Sequence, residues 1–389
     1  MNRTPEDLAQ ARAARIVVSA VFCMCGTFIG MWASRIPDIK AAVGLSESGF
    51  GILLLVMASG AFVSFPLTGI LVDRKGTAWM SKGFAAANLL SFLLVALAPS
   101  TVWLAGALFL AGFSFGGLDV AMNGWGAEVE KTLGKPVMTS FHGLYSLGAG
   151  VAAALGGLAI RFDLAVSVHF GIWCVFCLPV IVVCFRQGWP APEPSSSQAS
   201  KAPLFALPKG ALVFAGLIAL VAALGEGAVT DWAALYQIQD LGYSESIAPT
   251  AFTVFSAAMV IMRLSGDRVI ARYGAVRVAR VSGVVAFVGC LLLVSGFNIW
   301  AVWAGCFVMG LGFAVLFPLA MSRAASDPHI SKGSALASVA TLGYGAFLLG
   351  PPLLGFIGDA ASLRISFAAV ALFTLPLPFL AASLQVKRP

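Results

Sequence analysis

Long apolar stretches recur along the whole chain, and they restrict the fold more than any other feature of the sequence. A helix that crosses a bilayer needs roughly 20 mostly apolar residues. Twelve such windows lie at residues 15–36, 48–72, 78–98, 101–127, 137–160, 166–186, 209–235, 246–266, 276–296, 299–323, 333–357 and 364–386. Continuous apolar runs without period-2 alternation are typical of helices and not of barrel strands. The sequence therefore predicts an all-α membrane protein with twelve transmembrane helices.

The 24 lysines and arginines are distributed unevenly between the two sides of the membrane. The twelve spans leave only Arg35, Lys40, Arg161 and Arg364 on the side opposite to the N-terminus. Because Lys and Arg are enriched in cytoplasmic loops, we expect both termini in the cytoplasm and a multi-pass protein of the inner (plasma) membrane. No signal-peptide cleavage site is evident, so the first span is expected to be retained. The net charge of +7 then reports orientation, and no nucleic-acid partner is predicted.

The signatures of an enzyme are not evident in the sequence. All seven cysteines fall inside predicted spans, and the CxxC of Cys174 and Cys177 has no second pair. We expect these residues to pack between helices and to form neither a metal site nor a disulfide. No phosphate-binding glycine loop and no nucleophile with an ordered base is present. We therefore predict a protein without catalytic residues, bound metal or cofactor.

The chain divides into two similar halves. The segment QGWPAPEPSSSQASKAP, residues 187–203, is rich in Pro and Ser and is typical of a hydrated linker. A shift of 198 residues places GLSES at 44–48 on GYSES at 242–246 and aligns several helices without a gap. We predict an N-terminal six-helix bundle at 1–187, a cytoplasmic linker at 188–208 and a C-terminal six-helix bundle at 209–389. Parallel repeats of this kind imply a pseudo-twofold axis along the membrane normal.

Two loop motifs connect this organisation to a known family. The stretch GILVDRKG, residues 69–76, follows the second span, and a degraded copy, SGDRVIARYG at 265–274, follows the eighth. With the helix count and the linker, these motifs resemble the major facilitator superfamily over essentially the whole chain. The resemblance implies a carrier that works by alternating access and is commonly monomeric. The stretches GGLDVAMNGW and SFHGLYSLGAG are further similar to fucose-permease-like proton symporters and related bacterial inner-membrane proteins.

The first loop motif contains candidates for a gate. A carboxylate at the end of one helix can accept hydrogen bonds from the N-terminus of a neighbour, and an arginine can reach carbonyl or acidic groups. The alternative interpretation is loop charge that sets the topology. The candidate gate residues are Gly69, Asp73, Arg74 and Gly76, with Asp267 and Arg268 as the weaker pair.

An aspartate, Asp119, interrupts the fourth apolar window. A carboxylate in hydrocarbon costs several kcal/mol unless it is neutral, paired or hydrated. Asn123 shares its helical face at i+4, and a hairpin between the fourth and fifth spans places Asn123 opposite His142, with Tyr145 close by. We predict that Asp119 binds a proton, because desolvation favours the neutral form. The alternative is a hydrogen bond that holds helices together.

The other polar residues of these two spans have two interpretations each. His142, with an unperturbed pKa near 6.5, is a candidate to relay protons or to pack as a neutral hydrogen-bonding residue. Asn123 is expected to contact either the substrate or His142. Tyr145 is a candidate substrate contact. At the position matching Asp119, the fucose-permease-like proteins carry a glutamate implicated in proton coupling, which supports the proton-binding interpretation.

A second carboxylate, Glu226, is a further candidate for proton coupling; it lies in the seventh span between two glycines, where we expect the helix to open and line a cavity. Thr230 shares its face and is a candidate substrate contact, whereas Asp231 and Trp232 are interpreted as interfacial anchors. Arg35, at the external end of the first span, is either a contact of the substrate or an ion pair with Asp38.

Aromatic rings complete the set of candidate substrate contacts, because they stack on ring-shaped solutes. Trp32 and Tyr344 are the candidates, although packing against lipid or helices is the commoner role of such rings. We predict a proton-coupled symporter of a sugar-like or other polar metabolite, driven by the proton gradient. Two alternatives are a proton antiporter that exports amphipathic compounds and a ligand sensor that does not transport.

Overall fold

Helices form nearly all of the described chain. The computed structural model describes residues 4–134, 137–190, 208–327 and 332–385. Its helices are α1 (Pro5–Ala42), α2 (Glu47–Lys75), α3 (Thr77–Ala96), α4 (Thr101–Leu133), α5 (Met138–Arg161), α6 (Val166–Arg186), α7 (Ala211–Gln239), α8 (Thr250–Tyr273), α9 (Ala275–Ser295), α10 (Ile299–Phe313), α11 (Leu316–Ala325), α12 (Lys332–Ala360), α13 (Leu363–Thr374) and α14 (Leu377–Leu380), followed by a 3₁₀ turn (Ala381–Leu384).

The predicted spans are present. Within the described ranges, 11 helical segments are long and apolar enough to cross a bilayer, and the shorter apolar stretch Thr250–Gly266 is a twelfth candidate. α10 and α11 together make one of these segments, and Leu363–Leu384 joins α13 to the last turns. Each segment overlaps one window of the sequence. The chain is thus a multi-pass membrane protein with the all-α fold that the sequence predicts.

A proline explains the break between α10 and α11. Pro318 is the third residue of α11. Its ring cannot donate a hydrogen bond to the carbonyl four residues earlier and collides with it, and that carbonyl belongs to Ala314, in the break. By contrast, Pro351 and Pro352 lie inside the uninterrupted helix α12.

Short polar side chains mark the starts of several helices. Ser100, Asn298 and Ser362 each accept a hydrogen bond from the backbone N–H three residues later. Thr4 forms a capping box with Asp7 at the start of α1. Each cap satisfies an N–H group that has no partner within its helix and contributes about 1 kcal/mol.

The chain forms two compact units, and α1 packed along α5 is the main contact of the first. This unit comprises the chain up to Gly44 and from Val56 into the segment after α6. A Cβ on Gly26 would lie 1.9 Å from the carbonyl oxygen of Tyr145, so only glycine allows the two backbones to approach this closely. Small residues are the usual means by which helices pack in lipid. The contact places the polar residues of α5 beside α1.

The second unit contains α7 and all later helices, together with the first turns of α2, Leu45–Leu55. Within it α7 packs on α12 and α9 packs on α10. Phe50 meets the ring of Trp232 edge-on, with the ring centroids 5.6 Å apart. A division of the sequence at the linker does not anticipate that part of α2 belongs with the later helices.

A carboxylate near the end of α12 caps the start of α2. Asp359 accepts hydrogen bonds from the backbone N–H groups of Glu47 and Ser48, both at 2.8 Å, and from the Ser48 hydroxyl. The unpaired N–H groups and the dipole at a helix N-terminus favour an anion at this position. The cap fastens the first turn of α2 to α12 within the second unit.

The internal repeat is visible in the backbone as well as in the sequence. Gly76, between α2 and α3, has φ 89° and ψ 153°, and Gly274, between α8 and α9, has φ 79° and ψ 149°. Gly44 and Gly242 have φ angles of 62° and 70°. Both pairs are separated by the 198-residue shift of the repeat (274 − 76 and 242 − 44). The turns that follow equivalent helices are therefore the same in both halves.

The beginning of the predicted linker is held by polar contacts. The indole N–H of Trp189 donates to Glu128 of α4 at 2.6 Å, and the Thr77 hydroxyl donates to the same carboxylate oxygen at 2.8 Å. The Lys82 ammonium donates to the carbonyl of Gln187 at 2.7 Å. Residues 191–207 of the predicted linker lie outside the described part of the chain.

Candidate functional site

Three polar side chains form a hydrogen-bonded row from α4 to α5. Asn123 Nδ2 donates to Asp119 Oδ1 at 3.1 Å and to the carbonyl oxygen of Asp119 at 2.8 Å. Asn123 Oδ1 lies 3.1 Å from Nε2 of His142. All three side chains are partly buried. The predicted placement of Asn123 opposite His142 is thereby confirmed.

α1 supplies an apolar wall for this row. Phe22 meets the imidazole of His142 edge-on, with centroids 5.2 Å apart, and stacks on Phe141 at 5.4 Å. The thiol of Cys25, fully buried on α1, lies close enough to Asp119 to interact with it electrostatically. Apolar walls keep water from competing for the hydrogen bonds of the row, which strengthens them.

The candidate Tyr145 lies one turn further along α5. It is partly buried, and its backbone packs against Gly26 of α1. Tyr145 therefore lies at the contact between α1 and α5. Its neighbour Ser146 is buried, with 4% of its surface exposed.

A cavity of about 420 Å³ lies beside the N-terminal part of α1. Four residues of α1 and Leu133 of α4 line this cavity; the α1 residues are Arg12, Arg15, Ile16 and Ser19. Ser19 precedes Phe22, the ring that covers His142, by a single helical turn. Two arginines make the cavity attractive to water and anions.

The second candidate carboxylate, Glu226 on α7, has a partner that the sequence analysis missed. Its Oε2 lies 3.4 Å from Nη2 of Arg263 on α8, and the two side chains are 31% and 19% exposed. Arg263 lies within the predicted eighth span, and the sequence analysis assigns it no role there; α8 runs from Thr250 to Tyr273 and contains this arginine. An arginine within an apolar window is the signal that identifies such a partner.

The expected opening of the helix around Glu226 is wrong, because α7 runs without interruption from Ala211 to Gln239. A Cβ on Gly225 would lie 2.2 Å from the ring of Phe313, so this glycine makes room for an aromatic ring and does not bend the helix. Thr230 donates its hydroxyl hydrogen to the carbonyl of Glu226 at 2.8 Å, the common back-bond within a helix. Asp231 and Trp232 are 8% and 0% exposed, so both side chains are buried among the helices of their unit.

Arg35 forms the ion pair that was the alternative to substrate contact. Its guanidinium lies 3.4 Å from Asp38 and donates to the carbonyl of Leu164 in the turn between α5 and α6. Only 2% of Arg35 and 2% of Trp32 is exposed. These side chains join α1 to its neighbours, so the structure favours packing roles for both. Tyr344 is partly buried beside Phe317, with centroids 6.1 Å apart.

The gate motif is only partly described. Arg74 and Arg268 are exposed, and Gly76 forms the turn into α3. A Cβ on Gly69 would meet no atom within 4 Å, so packing does not require glycine there. The side chains of Asp73 and Asp267 lie outside the described residues. The gate role therefore stays a prediction.

The described residues include no group of three or more His, Cys, Asp or Glu side chains that could hold a metal ion. All seven cysteines are free thiols. Four of them, Cys177, Cys184, Cys290 and Cys306, are buried in α6, α9 and α10. The thiols are thus part of the helix packing.

Comparison with known proteins identifies relatives along the whole chain. A family model described as Major Facilitator Superfamily matches residues 16–345. An uncharacterized transporter of Sinorhizobium fredii is 41% identical over 368 residues, covering 95% of this chain and 97% of the relative. An uncharacterized MFS-type transporter of Yersinia pestis is 31% identical over 359 residues, covering 91% of each chain. The membrane protein MosC of Rhizobium meliloti is 28% identical over 353 residues, covering 90% of this chain and 85% of the relative.

Solved structures with the same fold are more distant in sequence. A variant of the nucleoside transporter NupG superposes with a TM-score of 0.76 at 12% identity, covering 97% of this chain and all of the other. The human organic anion transporter MFSD10 superposes with a TM-score of 0.67 at 15% identity, covering 95% of this chain and 99% of the other. At such identities the likeness concerns the fold alone.

Proposed function

Because the chain belongs to the major facilitator superfamily of transporters, we propose that it couples the movement of a small polar solute to protons, with Asp119 as the principal proton carrier. The observation that carries this proposal is the hydrogen-bonded row of Asp119, Asn123 and His142. Two of its members, a carboxylate and an imidazole, take up and release protons near neutral pH when their surroundings change.

The energetics favour proton binding over a structural role for Asp119. A carboxylate at the centre of a membrane helix costs about 2.5–3.5 kcal/mol, whereas a hydrogen bond between such helices contributes about 0.6 kcal/mol on average and at most about 1.7. Among the described residues, the hydrogen bonds to Asp119 both come from Asn123 of its own helix. They do not join two helices and do not offset the cost. A function that needs the carboxylate explains its presence better.

The surroundings of the row support access for protons from one side. Ser19, which lines the cavity, precedes Phe22 by one helical turn, and the ring of Phe22 lies against His142. We propose that movement of this ring lets water of the cavity exchange a proton with the imidazole, while the rest of the row stays between helices.

Two observations suggest substrates to test. The resemblance to fucose-permease-like symporters favours monosaccharides, and the fold neighbour NupG is a nucleoside transporter. We favour symport of a sugar-like or other polar metabolite. Proton antiport of an amphipathic compound and binding without transport are the alternative outcomes of the same measurements.

The test is transport by the purified protein in proteoliposomes that contain a pH-sensitive dye. Radiolabelled monosaccharides, nucleosides and organic acids are offered with and without an imposed proton gradient. Symport predicts that one solute accumulates with the gradient and carries protons in, and antiport predicts proton movement in the opposite direction. The variant Asp119→Asn, which is neutral at every pH, should lose gradient-driven accumulation and keep exchange of labelled for unlabelled solute.

The matched control is Asp163→Asn, the same chemical change at an exposed turn residue with φ 52°, a conformation that asparagine also adopts. This variant should accumulate solute as the unchanged protein does. Normal accumulation by Asp119→Asn would contradict the assignment of Asp119 as proton carrier. Binding of a solute without any exchange would contradict transport itself.

A further inference from the structure

We infer that Asn123 determines which atoms of the row bind protons, namely Nδ1 of His142 and Oδ2 of Asp119. This inference rests on the proposed function, in which the two side chains carry protons. It specifies the atoms to which the protons bind. It also gives Asn123 a positioning role in place of the substrate contact considered from the sequence.

The side-chain amide of Asn123 is held in one orientation. Nδ2 lies near two oxygens, Oδ1 of the Asp119 carboxylate and the backbone carbonyl oxygen of Asp119 at 2.8 Å. The backbone carbonyl accepts hydrogen bonds whether or not the carboxyl group carries a proton. An amide turned over would bring its own oxygen against that carbonyl, where two acceptors repel. Asn123 is therefore held with Nδ2 toward Asp119 in both protonation states.

The oxygen of the amide also determines which ring nitrogen of His142 carries the hydrogen. With Nδ2 toward Asp119, the oxygen of the amide faces Nε2 of His142 at 3.1 Å. Two acceptors cannot share a hydrogen bond, so Nε2 must carry a hydrogen. A neutral imidazole has only one ring hydrogen, which leaves the lone pair on Nδ1. A proton that arrives at His142 therefore binds Nδ1, and the Nε2 hydrogen bond to Asn123 persists in the imidazolium.

The nitrogen of the amide makes the two carboxylate oxygens of Asp119 unequal. Its Oδ1 accepts a hydrogen bond from Asn123 Nδ2. A hydrogen placed on Oδ1 would point at an N–H donor, so protonation at Oδ2 costs less. Asn123 also separates the two carriers, because an amide in this pH range neither accepts nor releases a proton. The two sites thus influence each other through one fixed dipole and exchange no proton through it.

Several titratable groups of the described residues lie on the helices around the row. α1 contributes the thiols of Cys25 and Cys23, and the latter contacts α5 at Gly148. Tyr145 follows His142 by one turn on α5. Lys82 of α3 is engaged with the segment after α6, and Glu128 of α4 binds that segment and α3. Asn123 is hydrogen-bonded to both proton carriers.

The test is nitrogen NMR of the full-length protein in nanodiscs, with ¹⁵N in the histidine rings. The chain has three histidines, and His142→Asn identifies the signals of this one by their loss. At a pH where the ring is neutral, we expect the Nε2 signal of a protonated nitrogen and the Nδ1 signal of a bare nitrogen. Asn123→Leu removes the acceptor and should produce a mixture of tautomers.

The control is Asn88→Leu, which removes another buried amide of the same unit, one that donates to Ser114. This change should leave the tautomer of His142 as it is. An Nδ1–H tautomer in the unchanged protein, or an unchanged tautomer in Asn123→Leu, would overturn the inference. The spectra do not depend on transport, so a failure of the proposed function in proteoliposomes is distinguishable from a failure of this inference.

A second measurement separates positioning from simple packing. Asn123→Asp preserves the shape and replaces the donor by a second carboxylate beside Asp119. Two carboxylates in contact share one proton and hold it to higher pH. The falling limb of the pH profile of uptake should then move upward by about one pH unit or more. A profile that stays in place while uptake persists would show that Asn123 does not act on the protons of this site.

Discussion

At the scale of single residues, the ion pair of Glu226 and Arg263 shows why two charges persist in an apolar helix pair. Either charge alone would cost several kcal/mol in hydrocarbon. Pairing with the opposite charge lowers this free-energy cost for both side chains. Their separation of 3.4 Å and their partial exposure indicate a contact of moderate strength. The pair therefore matters more for avoiding an unpaired charge than for a large net gain in stability.

This view predicts different results for single and double substitutions of the pair. Arg263→Gln leaves Glu226 unpaired and should lower stability by about 1–3 kcal/mol, less than for a fully buried pair because water screens part of the charge. The double variant with Glu226→Gln should recover most of the loss. Thermal unfolding in detergent measures both, with Arg268→Gln, an exposed arginine of the same helix, as the control. Equal losses in single and double variants would contradict the pairing.

The residues of the candidate site differ in how far they could be predicted. Asp119 and Asn123 are one turn apart, and a short hairpin brings His142 to them, so helical geometry alone predicts the row. The local ion pair of Arg35 with Asp38 was among the alternatives considered, but Arg263, which pairs with Glu226, and Leu164, whose carbonyl binds Arg35, lie 37 and 129 residues away in sequence. Packing of distant helices decides those contacts, and no local pattern encodes it. The prediction that the helix opens around Gly225 failed for the same reason, because this glycine makes room for the ring of Phe313 on another helix.

At the scale of elements, the turns after α2 and α8 depend on glycine for a backbone reason. Gly76 and Gly274 adopt φ near +80° to +90° with ψ near 150°, a region that residues with a Cβ occupy only under strain. Gly69 belongs to the same motif but lies within α2 with open space around its Cβ position. The motif thus contains one glycine that the fold requires and one that the fold does not.

These two glycines should respond differently to alanine. Gly76→Ala should destabilise the protein by about 1–3 kcal/mol through backbone strain. Gly69→Ala should leave stability unchanged or raise it slightly, since alanine favours a helix interior by about 1 kcal/mol. Thermal unfolding of both variants, with transport measured in parallel, tests this. Equal effects on stability would contradict the account, whereas lost transport in a stable Gly69→Ala would indicate that another conformation needs this glycine.

The positions of the helices were the most predictable part of the structure. Apolar length and polar breaks predict all the spans, because lipid forces every backbone hydrogen bond into the helix itself. The break after α10 follows from Pro318. The interruption after α13 was not predicted. The contacts of Trp189 were not predicted either, since a proline- and serine-rich segment resembles a linker whether or not its first residues have partners.

At the scale of the whole molecule, the two compact units do not coincide with the two halves of the sequence. The first turns of α2 lie in the second unit, where Phe50 contacts Trp232 and Asp359 caps the helix. Phe50 is fully buried, whereas Ile52 nearby is 47% exposed. The C-terminal half on its own therefore lacks a piece of its apolar packing.

A protein expressed as two chains tests this division. Residues 191–389 alone should be degraded, and co-expression with residues 1–190 should stabilise them. Phe50→Ser in the first chain should reduce the amount of second chain recovered, because it removes a buried ring from the contact with Trp232. Ile52→Ser, at an exposed position, should have little effect. Abundant, folded 191–389 without its partner would contradict the assignment of Leu45–Leu55 to the second unit.

The cap on α2 also determines the order in which the molecule can be completed during its synthesis. Asp359 follows Glu47 by 312 residues, so a ribosome working at about 5–20 residues per second needs roughly 15–60 s to supply it. During that interval the N–H groups of this turn and the ring of Phe50 await their partners. The first turn of the second helix is thus among the first segments to be made and among the last to reach its final surroundings.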